Sequence, residues 1–136
     1  MKYKILEHTA DVMFEVYGKG LNELFENSGI AVTDIIVERK SLKARVKKEI
    51  KLENEKADGL LFDFINELIY LKDAEGLLFK DFKVKTDGGK LNALLLGDKI
   101  DREKHKLLTD VKAITLHKFE VKKAGKEWVG RFILDI

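Results

Sequence analysis

Cysteine and proline are both absent from the 136 residues. Without cysteine there is no disulfide framework, no thiolate zinc site and no thiol redox chemistry. At this length one domain over residues 1–136 buries a core large enough to need no such staple. No apolar run approaches the roughly 20 residues that a membrane helix requires, so no membrane association is expected. Nothing in Met1-Lys2-Tyr3-Lys4 has the character of a signal peptide, and a reducing, cytoplasmic setting is the expectation. An excess of one charge sign is lacking too. The 26 Lys and Arg stand against 24 Asp and Glu, a formal +2, so any nucleic-acid footprint must be local.

What the chain does have is regular patterning. Residues 2–6 and 12–17 read as short strands, joined by the polar break Glu7-His8-Thr9-Ala10-Asp11 and ended by Gly18 and Gly20. From Leu21 onward Leu24, Phe25, Ala31, Val32, Ile35 and Ile36 recur at three and four, with Ser28 the one small polar interruption, and predict a helix with one buried face. Leu42, Ala44, Val46, Ile50 and Leu52 alternate with charged residues as a half-buried strand does, and Lys48 breaks the inner phase, which calls for a bulge or an edge position. A second helix is predicted over 57–74, with Leu60, Leu61, Phe64, Ile65, Leu68 and Leu71 as its stripe and Gly76 as its stop. Its extra apolar residues Phe62, Ile69 and Tyr70 predict burial on more than one side. Strands follow at 77–85, 91–97, 111–122 and 127–135, with turns at Asp87-Gly88-Gly89 and Ala124-Gly125 and a charged stretch at 98–110. The order ββαβαββββ predicts an α+β domain, two main helices on a largely antiparallel or mixed sheet.

Signs of enzymatic chemistry are few. There is no Gly-x-Ser-x-Gly elbow and no phosphate-cradling loop ending in Lys-Ser/Thr, and Gly18-Lys19-Gly20 lacks the third glycine of a dinucleotide fingerprint. His8, His105 and His117 are spaced by 97 and 12 residues, which matches no metal motif. His117 shares the alternating phase of Thr115 and Phe119 and is expected half-buried in support of a sheet, while His8 shapes the polar break beside Asp11. The sharper candidates are acids: Asp11 in the polar break, and Asp135 beside the terminal carboxylate of Ile136 at the end of an apolar strand. Hard cations such as calcium favour clustered carboxylates completed by carbonyls and water. The alternative is two exposed acids on opposite surfaces, which spacing alone leaves open. Seven basic residues between Arg39 and Lys51 form the one basic stripe, with no stacking aromatic among them, and read as a solvated strand face or an RNA contact. Lys112 is expected on the strand face opposite His117, and matters if it neighbours the carboxylates.

Three segments together carry a family likeness: His8-Thr9-Ala10-Asp11, then Asp110-Val111-Lys112-Ala113-Ile114-Thr115-Leu116-His117, then Trp128 through Leu134-Asp135-Ile136. With Gly20-Leu21 and the Leu60-Leu61-x-x-Phe64-x-x-x-Leu68-x-Tyr70-Leu71 helix, the chain resembles the archease family over its whole length. Leu116 departs from it, since an aromatic is expected before the histidine. The resemblance implies a non-catalytic, cytoplasmic activator of the GTP-dependent RNA ligase of tRNA splicing, the RtcB class. Such an activator promotes guanylylation of the ligase histidine, sustains its turnover and widens its nucleotide choice, with indirect contact to tRNA and GTP through the ligase. The resemblance also implies a metal set of Asp11, Asp135 and the Ile136 carboxylate, with calcium as the ion, a functional Lys112, and supporting roles for His8 and His117. The competing readings are a metal-dependent phosphohydrolase using the same carboxylates and an RNA-binding chaperone using the Arg39–Lys51 stripe.

Overall fold

The computed structural model describes every residue but Thr9, and every side chain but those of Glu7, His8 and Thr9. Its elements are β1 (Tyr3–His8), β2 (Asp11–Gly18), α1 (Leu21–Ile36), β3 (Val46–Glu53), α2 (Ala57–Glu75), β4 (Leu77–Asp87), β5 (Lys90–Lys99), β6 (Ala113–Ala124) and β7 (Glu127–Asp135), with a 3-10 turn at Arg39–Ser41. The order is the expected one. The strands divide between two antiparallel sheets, one ordered β1-β2-β7-β6 and one ordered β3-β5-β4.

Both helices are shared by the two sheets. Helix α1 packs on β2 and β4, and α2 packs on β6, β4 and β3, around one contiguous core. The α1 stripe is buried at Leu24, Phe25, Ala31, Val32 and Ile36. Ser28 does not interrupt it energetically, because its hydroxyl donates to the Leu24 carbonyl one turn back at 2.8 Å. Phe25 meets Phe64 of α2 with ring centroids 5.8 Å apart, and Phe14 meets Phe132 across β2 and β7 at 5.6 Å. All four rings are fully buried, and each such burial contributes about 1.5–3 kcal/mol. Helix α2 stops where Gly76 adopts φ 65, the left-handed conformation that glycine enters without a Cβ penalty, and the Gly76 amide closes the last turn on Lys72.

Three sequence expectations are corrected locally. The third strand starts at Val46 and not at Leu42: Leu42 is buried but Ala44 is exposed, and the Lys43 amide is bonded to the Asp98 carboxylate instead of a strand partner. From Val46↔Gly97 to Glu53↔Lys90 the β3–β5 ladder has no shift, so Lys48 marks an edge strand and not a bulge. Tyr70 of α2 is 57% exposed, so the added apolar positions bury only Ile69 fully and Phe62 in part.

The third correction is His117, which is exposed. Pairing of β6 with β7 shifts between Thr115 and Glu120, and Lys118 lies in that interval at φ 55. The irregularity changes the phase: Ile114 faces the core before it, and Phe119 and Val121 pack on the core after it. Carried back from Phe119 and Val121, a period of two would turn His117 inward; the shift breaks that phase, and His117 keeps the outward side set by Ile114.

Candidate functional site

Residue alternation sets the outer face of the four-stranded sheet. On β2, Val12, Phe14 and Val16 are fully buried toward the core, which turns Asp11, Met13 and Glu15 outward; on β7, Phe132 and Leu134 turn in, and Arg131, Ile133 and Asp135 turn out. Asp11 opens β2, Asp135 closes β7, and the register places each directly opposite the other. The acids that spacing alone could have left on separate surfaces are cross-strand neighbours.

The type of pairing brings them closer still. The Ile136 amide donates to the Ala10 carbonyl at 3.4 Å, which brackets Asp11 and Asp135 as a non-hydrogen-bonded pair. In such pairs the Cα atoms stand about 4.5 Å apart and the side chains are at their nearest. Both aspartates are exposed, and like charges so placed oppose folding by a fraction of a kcal/mol up to about 1 kcal/mol. The same bond sets the Ile136 main chain beside Ala10.

Lys112 lies at the other edge of this row. Asp135 pairs with Ala113 of β6, and the Lys112 amide donates to the Asp135 carbonyl at 2.8 Å, with the Lys112 side chain exposed. His8 pairs through its backbone with Val12, next to Asp11; its side chain, like the whole of Thr9, lies outside the described residues. His117 sits on the β6 bulge, its amide bonded to the Thr115 hydroxyl at 3.1 Å.

Farther along the same face the charges are balanced. Lys4, Glu15, Arg131 and Glu120 align across all four strands. Arg131 and Glu15 form an ion pair and Lys4 stands 3.4 Å from Glu15. The Arg131 guanidinium, then the Tyr17 hydroxyl, holds the Glu15 carboxyl down at about 2. Between this ladder and the acid pair lie Met13 and Ile133, 8% and 7% exposed. The face thus runs from a compensated ladder, over an apolar step, to two adjacent acids at its end.

Chemically, the acid pair is an all-oxygen donor set, which suits hard cations such as calcium or magnesium. Two carboxylates supply only part of a shell of six to eight oxygens. Among the described residues no cluster of three or more His, Cys, Asp or Glu stands close enough to complete one. Main-chain carbonyls and water would supply the remainder.

Most of the basic stripe of the sequence stands within ion-pair distance of acids. Arg39 pairs with Asp34, Lys40 with Glu38, Arg45 with Asp98, Lys48 with Glu75 and Lys51 with Glu49, the Lys40 and Lys51 pairs at 3.6 and 3.8 Å, which leaves Lys43 and Lys47 of the seven outside such pairs among the described residues. Gly18-Lys19-Gly20 is a strand-to-helix turn.

Two buried ionic groups escaped the sequence reading. His105, with 1% of its side chain exposed, accepts the Asp101 amide proton at Nδ1 (3.0 Å), so Nε2 carries the proton and donates to Asp98 at 3.1 Å. Burial pushes the Asp98 carboxyl up, but the Lys43 amide, the His105 bond and the Arg45 charge outweigh it and hold it below its ordinary value. Lys72, near the end of α2, has 5% of its side chain exposed and bonds Asp73 and Asp110. One signal for Lys72 is in the sequence, since it continues the 61, 65, 68 spacing of the buried α2 stripe.

The chain matches the model of the Archease protein family over residues 3–136. It is 40% identical to the protein archease of Archaeoglobus fulgidus, with 100% of both chains covered, and 38% identical to that of Pyrococcus abyssi, with 99% of both covered. Its structure superposes on the solution structure of Methanobacterium thermoautotrophicum protein 1598 with a TM-score of 0.86, at 32% identity and 98% coverage of both chains. It shares the fold of the Thermotoga maritima crystal structure described as an archease, possible chaperone, with a TM-score of 0.64, at 24% identity, covering 98% of this chain and 96% of that one. The chain belongs to the archease family.

Proposed function

We propose that this protein is a non-catalytic activator of an RtcB-class RNA ligase in tRNA splicing, promoting guanylylation of the ligase, sustaining its turnover and broadening its nucleotide use. The observation that carries this reading is the juxtaposition of Asp11, Asp135 and the Lys112 main chain at one end of a sheet, in a chain that matches the archease family throughout. These are the residues to which the family resemblance assigns activation.

In this reading Asp11 and Asp135, with the Ile136 carboxylate, hold a divalent cation, calcium being the expected ion. The bound ion would neutralise the paired acids and present positive charge to phosphate oxygens. Lys112, exposed and tied through its amide to the Asp135 carbonyl, would supply a second cationic donor at this end of the sheet. This charged end abuts the ligase active site and orients the nucleotide phosphates for attack by the ligase histidine. His8 and His117 are supporting residues on β1 and β6, the strands that flank the acid pair. The protein acts by positioning and forms no covalent intermediate.

The test is ligation of cleaved tRNA halves by the cognate ligase under multiple-turnover conditions, with and without this protein. Stimulation by substoichiometric protein is the expected result. Equal rates in the two arms, or hydrolysis of nucleotide by the protein alone, would contradict the proposal.

A further inference from the structure

A lysine almost never lies in a core unless its charge is met there, because an unpaired ammonium in low dielectric costs several kcal/mol. Lys72 has only 5% of its side chain exposed, although both of its acid partners stand at the surface. Its neighbours on the buried side of α2 are the apolar Ile65, Leu68 and Leu71. Its Nζ donates to Asp110 Oδ1 at 2.8 Å and to Asp73. Burial alone would depress the Lys72 ammonium, and the bonds to Asp110 and Asp73 hold it above its ordinary value.

Asp110 belongs to an extended strap between β5 and β6. The strap is tied by main-chain bonds to the end of α1: Glu38 to the Lys106 carbonyl at 2.9 Å, Leu108 to Ile36 at 2.8 Å and Thr109 to Ile35 at 3.1 Å. Beyond it Val111 is fully buried, and the Lys112 amide bonds the Asp135 carbonyl. Between Thr109 and Val111 the tie to the body of the protein is the Lys72–Asp110 pair. The pair is charge-assisted and shielded on the Lys72 side, while Asp110 is 71% exposed and screened by solvent.

We infer that Lys72 is a positioning residue for Lys112: its ion pair with Asp110 fixes the strap that presents Lys112 beside Asp135. The inference rests on the proposed role of Lys112 in ligase activation. Helix α2 thereby sets the geometry of a site to which it contributes no contacting residue.

The experiment compares Lys72→Met, Lys72→Arg, Asp110→Asn and Lys112→Ala proteins by amide hydrogen exchange and by stimulation of ligase guanylylation. Lys72→Met and Asp110→Asn are each expected to speed exchange of the Lys112 amide about tenfold, with the Leu95 amide in the core unchanged, and to cut stimulation severalfold. Lys72→Arg keeps the charge and restores both. In a Lys112→Ala background, Lys72→Met lowers stimulation no further, whereas a merely structural defect would add its own loss. Should Lys72→Met fail to fold, Asp110→Asn removes the same pair from its exposed side. Unchanged exchange at Lys112, or additive losses in the double variant, overturns this inference alone. Full stimulation by Lys112→Ala overturns the role of Lys112, and this inference with it.

Discussion

Asp11 and Asp135 stand opposite each other on β2 and β7 as a non-hydrogen-bonded pair of exposed acids. Two carboxylates in that relation oppose folding until a cation lies between them, which separates the needs of stability from those of function. Asp11→Asn removes the repulsion and is expected to raise the thermal midpoint in chelator by about 1–4 °C. Calcium is expected to raise the midpoint of the native protein and to leave that of Asp11→Asn unmoved. Calorimetric scans in chelator and in calcium check both.

Glu15, four residues along the same strand, is the contrasting case. Arg131 first, then Tyr17, holds its carboxyl at about 2, below the ordinary 4.5. Its folded-state value is the depressed one, so the stability it supplies is complete above about pH 4.5 and is lost as the pH falls toward about 2. Urea unfolding between pH 6 and pH 2 is expected to show this fall, and Glu15→Gln to flatten it.

A close approach governs the turn from β2 into α1. A Cβ on Gly18 would lie 2.3 Å from the Leu24 amide nitrogen, in backbone that cannot swing aside. Gly18→Ala is expected to destabilise by about 1–3 kcal/mol, read as a lower urea midpoint with an unchanged slope.

The Asp98 hub joins β5 to the residues before β3 and to the strap. His105→Ala would strip a buried carboxylate of its imidazole donor and leave the Asp101 amide without its acceptor. The expected cost is about 1–3 kcal/mol, measured by chemical denaturation at neutral pH.

Much of this architecture was legible in the sequence because it depends on local period. The α1 stripe, the α2 stripe with its Gly76 stop and the Asp87-Gly88-Gly89 hairpin all lie where spacing and turn chemistry put them. What was not legible depends on register and on long-range ionic partners. The division into two sheets, the opposition of Asp11 and Asp135, and the β6 bulge that separates His117 from the phase of Phe119 and Val121 follow from how strands align, to which a period of two is blind. His105 was lost in a stretch, 98–110, that read only as charged, although its bond to the buried Asp98 draws part of it inward. The family resemblance named Asp11, Asp135 and Lys112; the register sets the two acids opposite each other, and a main-chain bond ties Lys112 to Asp135.

The most direct measurement is guanylylation of the cognate ligase by GTP in the presence of native, Asp11→Ala or Asp135→Ala protein, with calcium present and each variant shown to be folded. If the paired acids form the activating site, the native protein stimulates guanylylation and both variants lose at least about tenfold of that stimulation, a difference of ~1.4 kcal/mol in the barrier. Undiminished stimulation by either folded variant would contradict the assignment of the activating site to Asp11 and Asp135.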